Sequence, residues 1–225
     1  MKLKVCGITS KTQLHQLDEL GVDFAGLIFY EKSPRYVLKH GLTGSMVKSS
    51  NLALLKVGVF VNATFDEILS AIQDYGLDKV QLHGTESPME CGELSKIVPV
   101  IKAVRLAENE SASEVMERFE NSIEMMLFDS GKTSSKEGSN EHNEYGGTGI
   151  KFNWNRLKER TIEMPYFLSG GIGPGDAVLI KEFIKDPVAK NLFAIDINSR
   201  FEKSPGLKNM EEISQFLTEI RPLGN

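Results

Sequence analysis

The sequence predicts an α/β protein, a single-domain (β/α)8 TIM barrel, and three observations favour this fold class. Eight short apolar runs recur along the chain, helical patterns lie between them, and 225 residues is the length that one such barrel needs. Near-continuous apolar runs are typical of strands buried on both faces, and strands alternating with helices predict a parallel sheet. A doubly wound open sheet is the alternative arrangement of the same elements.

Eight strands are predicted from the apolar runs. They cover residues 3–8, 24–29, 54–60, 79–83, 99–106, 124–129, 166–170 and 192–197. Helical periodicity predicts helices over residues 10–20, 64–75, 86–97, 111–120, 153–160, 175–185 and 209–219. Asn209, followed three residues later by Glu212, indicates a capping box at the start of the last helix. Within segment 33–50 we expect only a short helix, near 43–50.

One segment is too polar to pack in a core. Residues 130–145 are dominated by Ser, Lys, Glu, Asn and Gly, which is the composition of a mobile loop. No long linker or shift of composition divides the chain. We therefore expect one barrel domain over residues 1–225, with a mobile active-site loop over 130–145.

Composition and charge disfavour several classes of function. The net charge is −5 with acidic and basic residues interleaved, which disfavours a nucleic-acid-binding surface. No apolar run approaches the roughly 18 residues of a membrane span, and the N-terminus lacks a signal-peptide pattern. Two distant cysteines and four scattered histidines show no metal-ligand spacing. The chain is thus predicted to be cytoplasmic, with no metal and no membrane or nucleic-acid partner.

Residues suited to a binding site stand where the predicted strands end. In a (β/α)8 barrel the site lies at the carboxyl ends of the strands. Polar side chains or glycines occupy seven of these ends: Cys6, Arg35, His83, Arg105, Asp129, Ser169 and Asp196 with their neighbours. A polar strand end is common for any single strand, but the whole set favours a ring of ligand-contacting groups.

Small residues after the late strands indicate a phosphate site. Glycine lets backbone amides approach an anion closely, and barrels often bind phosphate after strands 7 and 8. The candidate residues are Gly147, Thr148 and Gly149, then Gly170 and Gly171, then Asn198 and Ser199. They predict a small phosphorylated molecule as the ligand.

The end of the first strand raises a question of its own. In KLKVC, residues 2–6, the thiol of Cys6 is compatible with a small core residue, a redox thiol or a catalytic group. Lys4 lies two residues earlier and therefore shares its face of the strand. A free thiol has a pKa of about 8.5, so catalysis needs a lowered pKa or a minority thiolate.

Short motifs along almost the whole chain identify a family. They are KVCGIT (4–9), FAGLIF with SPRYV (24–37), VGVFVN (57–62), VQLHGTE (80–86), LFDS (127–130), YGGTG (145–149), FNW (152–154), LSGGIGP (168–174) and DINSRFEKSPGLK (196–208). In this order they closely resemble the phosphoribosylanthranilate isomerases of tryptophan biosynthesis. The chain departs from the family's usual SGVE at Ser199–Glu202, where we expect Arg200 to add a cation beside the phosphate.

The resemblance implies a cofactor-independent isomerase. Its reaction is the Amadori rearrangement of N-(5-phosphoribosyl)anthranilate to 1-(2-carboxyphenylamino)-1-deoxyribulose 5-phosphate, the third step from chorismate to tryptophan. By resemblance Cys6 is the general base and Asp129 the general acid. Arg35 is the candidate for the anthranilate carboxylate, since its guanidinium presents a planar fork of donors. His83 orients the substrate or a loop, unless it is a structural histidine, and Arg105 contributes at the anthranilate end.

Two other functions compete with this interpretation. One is another phosphosugar isomerase or epimerase on the same fold, because fold does not fix function. The other is a catalytically silent barrel that binds a phosphorylated metabolite. The pairing of Cys6 with Asp129 argues against the silent barrel. We expect a monomer or a homodimer.

Overall fold

The computed structural model describes residues 1–106, 110–129, 154–157 and 162–221, and eight parallel strands form its centre. They close into a barrel in the order in which they occur along the chain, which confirms the predicted barrel and excludes the open sheet. The strands are β1 Lys2–Cys6, β2 Phe24–Ile28, β3 Leu55–Phe60, β4 Lys79–Leu82, β5 Val100–Val104, β6 Met125–Phe128, β7 Tyr166–Leu168 and β8 Leu192–Ile197. Pairing of β1 with β8 closes the barrel and sets Lys4 opposite Asp196.

Helices cover the outside of the barrel. They are α1 Lys11–Glu19, α2 Gly44–Lys48, α3 Phe65–Tyr75, α4 Pro88–Ser95, α5 Ala112–Phe119, α6 Ala177–Phe183 and α7 Met210–Ile220. Shorter 3-10 helices span Val37–His40, Trp154–Leu157, Pro174–Asp176, Pro187–Asn191 and Ser199–Phe201. The prediction of a short helix near 43–50 is confirmed by α2. Of the helix predicted over 153–160, residues 154–157 form a 3-10 turn, and the remainder lies outside the described residues.

Side-chain caps start most of the helices. Thr64, Ser87 and Ser111 each form a capping box with the glutamate three residues on. The capping box predicted at Asn209 is wrong, because its side chain makes no cap hydrogen bond. The backbone N–H of Asn209 already donates to the carbonyl of Phe201 at 2.8 Å, so it is not available to donate to the Glu212 carboxylate as the box requires.

That hydrogen bond belongs to a hairpin that the sequence did not predict. After β8 the chain forms β9 Glu202–Ser204 and β10 Leu207–Lys208, which pair antiparallel. Gly206, between them, has a φ of 85°, a conformation that glycine adopts at little cost. The polar sequence EKSPGLK lacks the alternation that marks a strand, so only the structure reveals the hairpin.

Alternation along the strands positions the site. Every second strand residue points into the barrel. The interior is filled by apolar side chains in which aromatic rings are prominent: Phe24, Val57, Ile101, Ala103, Met125, Leu127, Phe167 and Ala194. On β5, β6, β7 and β8, the residues two positions beyond the last of these apolar side chains are polar and lie at the opening formed by the carboxyl ends of the strands: Arg105, Asp129, Ser169 and Asp196. The packed interior closes the barrel below them.

Two features of the described residues bear on the classes of function that composition and charge disfavour. Within ranges 1–106, 110–129, 154–157 and 162–221, no helix is long and apolar enough to cross a membrane. The same ranges contain no cluster of three His, Cys, Asp or Glu side chains that could hold a metal ion. The segment 130–145 and Gly147, Thr148 and Gly149 lie outside the described residues.

Candidate active site

Cys6 ends β1 in a narrow space at the top of the barrel interior. Its side chain packs with Ile28 and Val59, and the residue is only 5% exposed. The neighbouring strand makes room for it with Gly26, where a Cβ atom would lie 2.8 Å from the Cys6 sulfur. The next residue, Gly7, has a φ of 78°. A Cβ there would overlap the Arg35 side chain, so glycine allows Arg35 to approach the thiol.

The buried ammonium of Lys4 lies between the thiol and an acidic partner. Its Nζ atom is 2.8 Å from Oδ1 of Asp196 across the β1–β8 seam, and Lys4 is fully buried. Burial alone lowers the pKa of Lys4, but Asp196 and hydrogen-bonded Cys6 outweigh it, and the pKa is raised. Lys4 is therefore held as a cation next to the thiol.

The electrostatic balance at Cys6 favours the thiol form in the free protein. Burial raises the pKa of Cys6, and Asp196 raises it further, while Lys4, Lys208 and Arg35 oppose the shift only in part. The lowered pKa considered from the sequence is thus not present without substrate. A base at this position would act from a minority thiolate, which Lys4 stabilises more than any other group.

Replacing Lys4 by methionine separates its effect on the thiol from its effect on the fold. Loss of the cation leaves Asp196 buried and unpaired, so we expect the free energy of unfolding to fall by about 3–5 kcal/mol. We also expect the pKa of Cys6 to rise, since its main stabilising cation is gone. Urea unfolding and thiolate absorbance, both in a Cys91→Ala background, measure the two effects.

The double variant Lys4→Met with Asp196→Leu provides the control for that experiment. Removal of both charges is expected to restore most of the lost stability, because a buried ion pair can be replaced by apolar groups at little cost. In the double variant the Cys6 pKa loses the lowering effect of Lys4 and the smaller raising effect of Asp196. It should therefore lie above its value in the parent protein, by less than in Lys4→Met. An unchanged Cys6 pKa in the single variant would show that Lys4 does not act on the thiol.

His83 connects the predicted acid, Asp129, to Gln81 on β4. The Nε2 atom of His83 lies 3.1 Å from Oδ2 of Asp129, and its Nδ1 atom lies 3.0 Å from Nε2 of Gln81. Asp129 follows β6 and His83 follows β4, so the contact reaches across the end of β5. Only about a tenth of each side chain is exposed, at 11% for His83 and 10% for Asp129.

A buried ion pair anchors the loop that carries His83. Lys102 on β5 donates from Nζ to Oε2 of Glu86 at 2.7 Å and to the carbonyl of Gly84 at 2.9 Å. Glu86 in turn accepts from the backbone N–H of Asn62 at 2.8 Å. This role of Glu86 could not be predicted from the sequence, because nothing in the motif VQLHGTE indicates that its glutamate faces a lysine.

Arg35 lies in the site rather than on the surface. It is 7% exposed, and its Nε and Nη2 atoms donate to both oxygens of Glu202 at 2.8 and 2.7 Å. No described residue accepts a hydrogen bond from its Nη1 atom. The hairpin β9–β10 supplies Glu202, which fixes the guanidinium in one orientation.

Lys208 completes this network next to the predicted phosphate residues. Its Nζ atom donates to Glu202 at 2.7 Å and to Oδ1 of Asn198 at 2.7 Å. Burial lowers the pKa of Lys208 to about 8, against the opposing influence of Glu202. The structure thus brings Arg35 and Asn198 together through two residues that were not predicted as part of the site.

The other predicted phosphate residues within the described ranges lie at the ends of β7 and β8. Gly170 and Gly171 have φ values of 95° and 65°, which direct the chain sharply away from β7. Ser199 begins the 3-10 helix after Asn198. The side chain of Arg200 lies against the loop after β7, since a Cβ atom on Gly173 would lie 3.5 Å from its Cδ. Arg105 stands two residues beyond inward-facing Ala103, at the same end of the barrel.

Comparison with known proteins identifies the family. The profile described as "N-(5'phosphoribosyl)anthranilate (PRA) isomerase" matches residues 3–219. The chain belongs to the phosphoribosylanthranilate isomerase family. A phosphoribosylanthranilate isomerase of Parabacteroides distasonis is 37% identical over 221 residues, which cover 98% of this chain and 93% of the relative. That of Phocaeicola vulgatus is 32% identical over 222 residues and 98% of each chain.

Solved phosphoribosylanthranilate isomerases share the fold. The enzyme of Thermotoga maritima has a TM-score of 0.76 and 29% identity, over 99% of this chain and 100% of that one. A second structure, of a complex with reduced 1-(o-carboxyphenylamino)-1-deoxyribulose 5-phosphate, has a TM-score of 0.74 and 28% identity over the same shares. Both contain the barrel that the sequence predicted.

Proposed function

We propose that this chain is a phosphoribosylanthranilate isomerase of tryptophan biosynthesis, which catalyses the Amadori rearrangement of N-(5-phosphoribosyl)anthranilate. The observation that carries the proposal is a pair of proton-transfer groups at one opening of the barrel. Cys6 ends β1 beside a buried cation, and Asp129 follows β6 with His83 on one carboxyl oxygen. Two such groups are what this rearrangement needs.

Asp129 acts first, as the general acid. It gives a proton to the furanose ring oxygen while the bond between that oxygen and C1′ breaks. The lone pair of the anthranilate nitrogen forms the new double bond to C1′, so the product of the step is an open-chain, protonated Schiff base. Asp129 is left as a carboxylate, which the N–H of His83 stabilises.

Cys6 acts second, as the general base. Its thiolate removes the proton from C2′, the electrons of that C–H bond form a double bond between C1′ and C2′, and the iminium electrons return to nitrogen. The resulting enolamine becomes the ketone when a proton leaves the C2′ hydroxyl and one is added at C1′. Transfer of one proton from the Cys6 thiol to Asp129 through solvent restores the enzyme.

Arg35 and the late loops hold the two anionic ends of the substrate. Glu202 uses Nε and Nη2 of Arg35, which leaves Nη1 for the anthranilate carboxylate. At the other end, Gly170, Gly171 and the region of Asn198 and Ser199 bind the phosphate. Gly147, Thr148 and Gly149 belong to this proposal from the sequence, and Arg200 adds a cation over the same loop.

The setting of the enzyme follows from the same proposal. We place it in the cytoplasm, as one barrel domain over residues 1–225 that works without a cofactor as a monomer or a homodimer. The polar composition of segment 130–145 predicts that this segment moves over the substrate. A relative from Thermotoga maritima is described as dimeric, with a TM-score of 0.74 and 27% identity. A small phosphorylated molecule is the expected ligand.

Turnover of freshly made N-(5-phosphoribosyl)anthranilate tests the proposal. We expect the protein to convert it in the presence of EDTA, with kcat in the usual range of roughly 1–10³ s⁻¹. The change in anthranilate fluorescence measures the conversion. Binding without conversion would favour the silent barrel. Conversion that stops in EDTA and returns with a divalent metal would favour another class of sugar phosphate isomerase.

A further inference from the structure

Gln81 lies behind His83, on the side away from the candidate acid. We propose that Gln81 is a positioning residue, which fixes the tautomer of His83 and thereby directs the acid proton of Asp129 onto its Oδ1 atom. The catalytic meaning of this inference rests on the proposed function. The donor and acceptor roles of the two His83 ring nitrogens do not depend on it and can be measured separately.

The chemistry of the contacting atoms decides the tautomer. The Gln81 atom nearest to the ring is the amide nitrogen, 3.0 Å from Nδ1 of His83. An amide nitrogen can only donate, so Nδ1 must accept, and the neutral ring then carries its proton on Nε2. That N–H points to Oδ2 of Asp129, 3.1 Å away.

Burial makes the amide orientation effective. Gln81 is 1% exposed, so water does not compete for its amide group. Its other atom, Oε1, is buried and has no hydrogen-bond partner among the residues that the structure describes. Rotating the amide would turn Oε1 towards the ring. Nδ1 would then need the proton, and bare Nε2 would accept the acid proton of Asp129.

The two arrangements differ in what they offer the substrate. With the N–H of His83 on Oδ2, a protonated Asp129 carries its proton on Oδ1, away from the imidazole. After the proton has left, the same N–H stabilises the carboxylate, so the interaction strengthens as the ring opens. In the rotated arrangement the imidazole would bind the acid proton and withhold it from the ring oxygen.

Charged groups face this histidine–carboxyl pair from the neighbouring strands. Asp196 on β8 interacts electrostatically with both members, and Lys4 on β1 neutralises it at 2.8 Å. Cys6 also stands on β1, and Arg105 follows β5, the strand between β4 and β6. Replacing Gln81 by methionine changes none of these charges, so its effect reports the lost hydrogen bond.

Histidine NMR on the whole, ligand-free protein provides the test. With isotope-labelled histidine, and His83 assigned through His83→Gln, we expect Nε2 to carry the proton and Nδ1 to lack it. In Gln81→Glu the new carboxylate accepts from the ring, so Nδ1 should become protonated. We expect kcat to fall about three- to tenfold in Gln81→Met and by about tenfold or more in Gln81→Glu, with KM changed less than about twofold.

A matched variant elsewhere controls for the loss of a buried amide. Gln13 on α1 is 5% exposed and bonds Thr9 and the carbonyl of Gly206. Gln13→Met is expected to leave the His83 tautomer unchanged. A proton on Nδ1 in the parent protein overturns the proposal, as does a Gln81→Met variant with unaltered kcat.

The outcomes also separate this inference from the proposed function. A parent protein that converts no substrate refutes the proposed function, while the NMR result still decides which ring nitrogen of His83 carries the proton. If Gln81→Glu does not fold, the parent tautomer and the kcat of Gln81→Met decide. A changed tautomer with full activity would overturn the catalytic part, because the position of the proton would then not matter.

Discussion

Replacing Cys6 by alanine is expected to lower kcat by about 10²- to 10⁴-fold, the contribution of a positioned general base. The fold should persist, because alanine fits the space that Gly26 opens beside β1 and loses only the sulfur. We expect KM to change little, since the variant leaves intact Arg35 and the late loops, which are the proposed binding groups for the anionic ends of the substrate. Steady-state turnover and near-ultraviolet circular dichroism measure the two properties.

The second cysteine is a matched control for this variant. Cys91 on α4 is fully buried in the core, and burial raises its pKa to about 11. Cys91→Ala should cost roughly 1 kcal/mol of stability and keep kcat within about twofold of the parent. If Cys6→Ala retained more than about a tenth of the parent kcat, the thiol could not be the base.

The raised pKa of Cys6 gives the same experiment a pH signature. Burial disfavours the thiolate, so the fraction of active base grows as pH approaches the thiol pKa. The reaction also needs the acid proton of Asp129, and the loss of that proton with rising pH offsets the gain in thiolate. In the parent protein kcat should therefore not rise towards alkaline pH and should fall once the pH passes the thiol pKa, and this alkaline limb should be absent from Cys6→Ala. The charges of the bound substrate also act on the Cys6 thiol, and the free protein lacks them.

The sequence was sufficient for the barrel because each strand carries its own signal. Segments such as FAGLI and VGVF are buried on both faces, as in a parallel sheet covered by helices, and eight such runs within 225 residues favour the closed barrel over the open sheet. The hairpin β9–β10 was missed for the opposite reason. It is short, polar and held by contacts to Arg35 and Gln13, which are distant in sequence.

For the site, the sequence predicted where the residues lie in the barrel better than it predicted their ion-pair partners. Strand alternation is local, so Cys6 and Asp129 could be assigned to one opening of the barrel. The partners come from elsewhere in the chain: Asp196 meets Lys4, and Glu202 meets Arg35. Such long-range pairs leave no trace in a single sequence. For the same reason the upward direction of the Cys6 pKa needed the structure.

Replacing Asp129 by asparagine is expected to lower kcat by about 10²- to 10⁴-fold with little change in KM. Asparagine has nearly the same shape, and its side-chain oxygen can still accept from Nε2 of His83, so the hydrogen bond at 3.1 Å should persist. Its amide cannot supply the acid proton. Only the proton-transfer step is lost, and the histidine NMR signal of the variant should resemble that of the parent.

Asp78→Asn is the control for an aspartate replaced by its amide. Asp78 accepts from the backbone N–H of Lys56 at 2.7 Å and precedes β4, at the opposite end of the barrel from the site. We expect its kcat to stay within about twofold of the parent. A fall in Asp129→Asn no greater than in Asp78→Asn would contradict the role of Asp129 as the acid.

Chemical trapping distinguishes the acid from the base. Ring opening precedes removal of the C2′ proton, so Cys6→Ala should still form the Schiff base, which then has no base to consume it. Borohydride should therefore trap a reduced open-chain adduct of the substrate in Cys6→Ala and very little in Asp129→Asn. The reverse pattern would mean that the two roles are exchanged, with Asp129 taking the C2′ proton and Cys6 opening the ring.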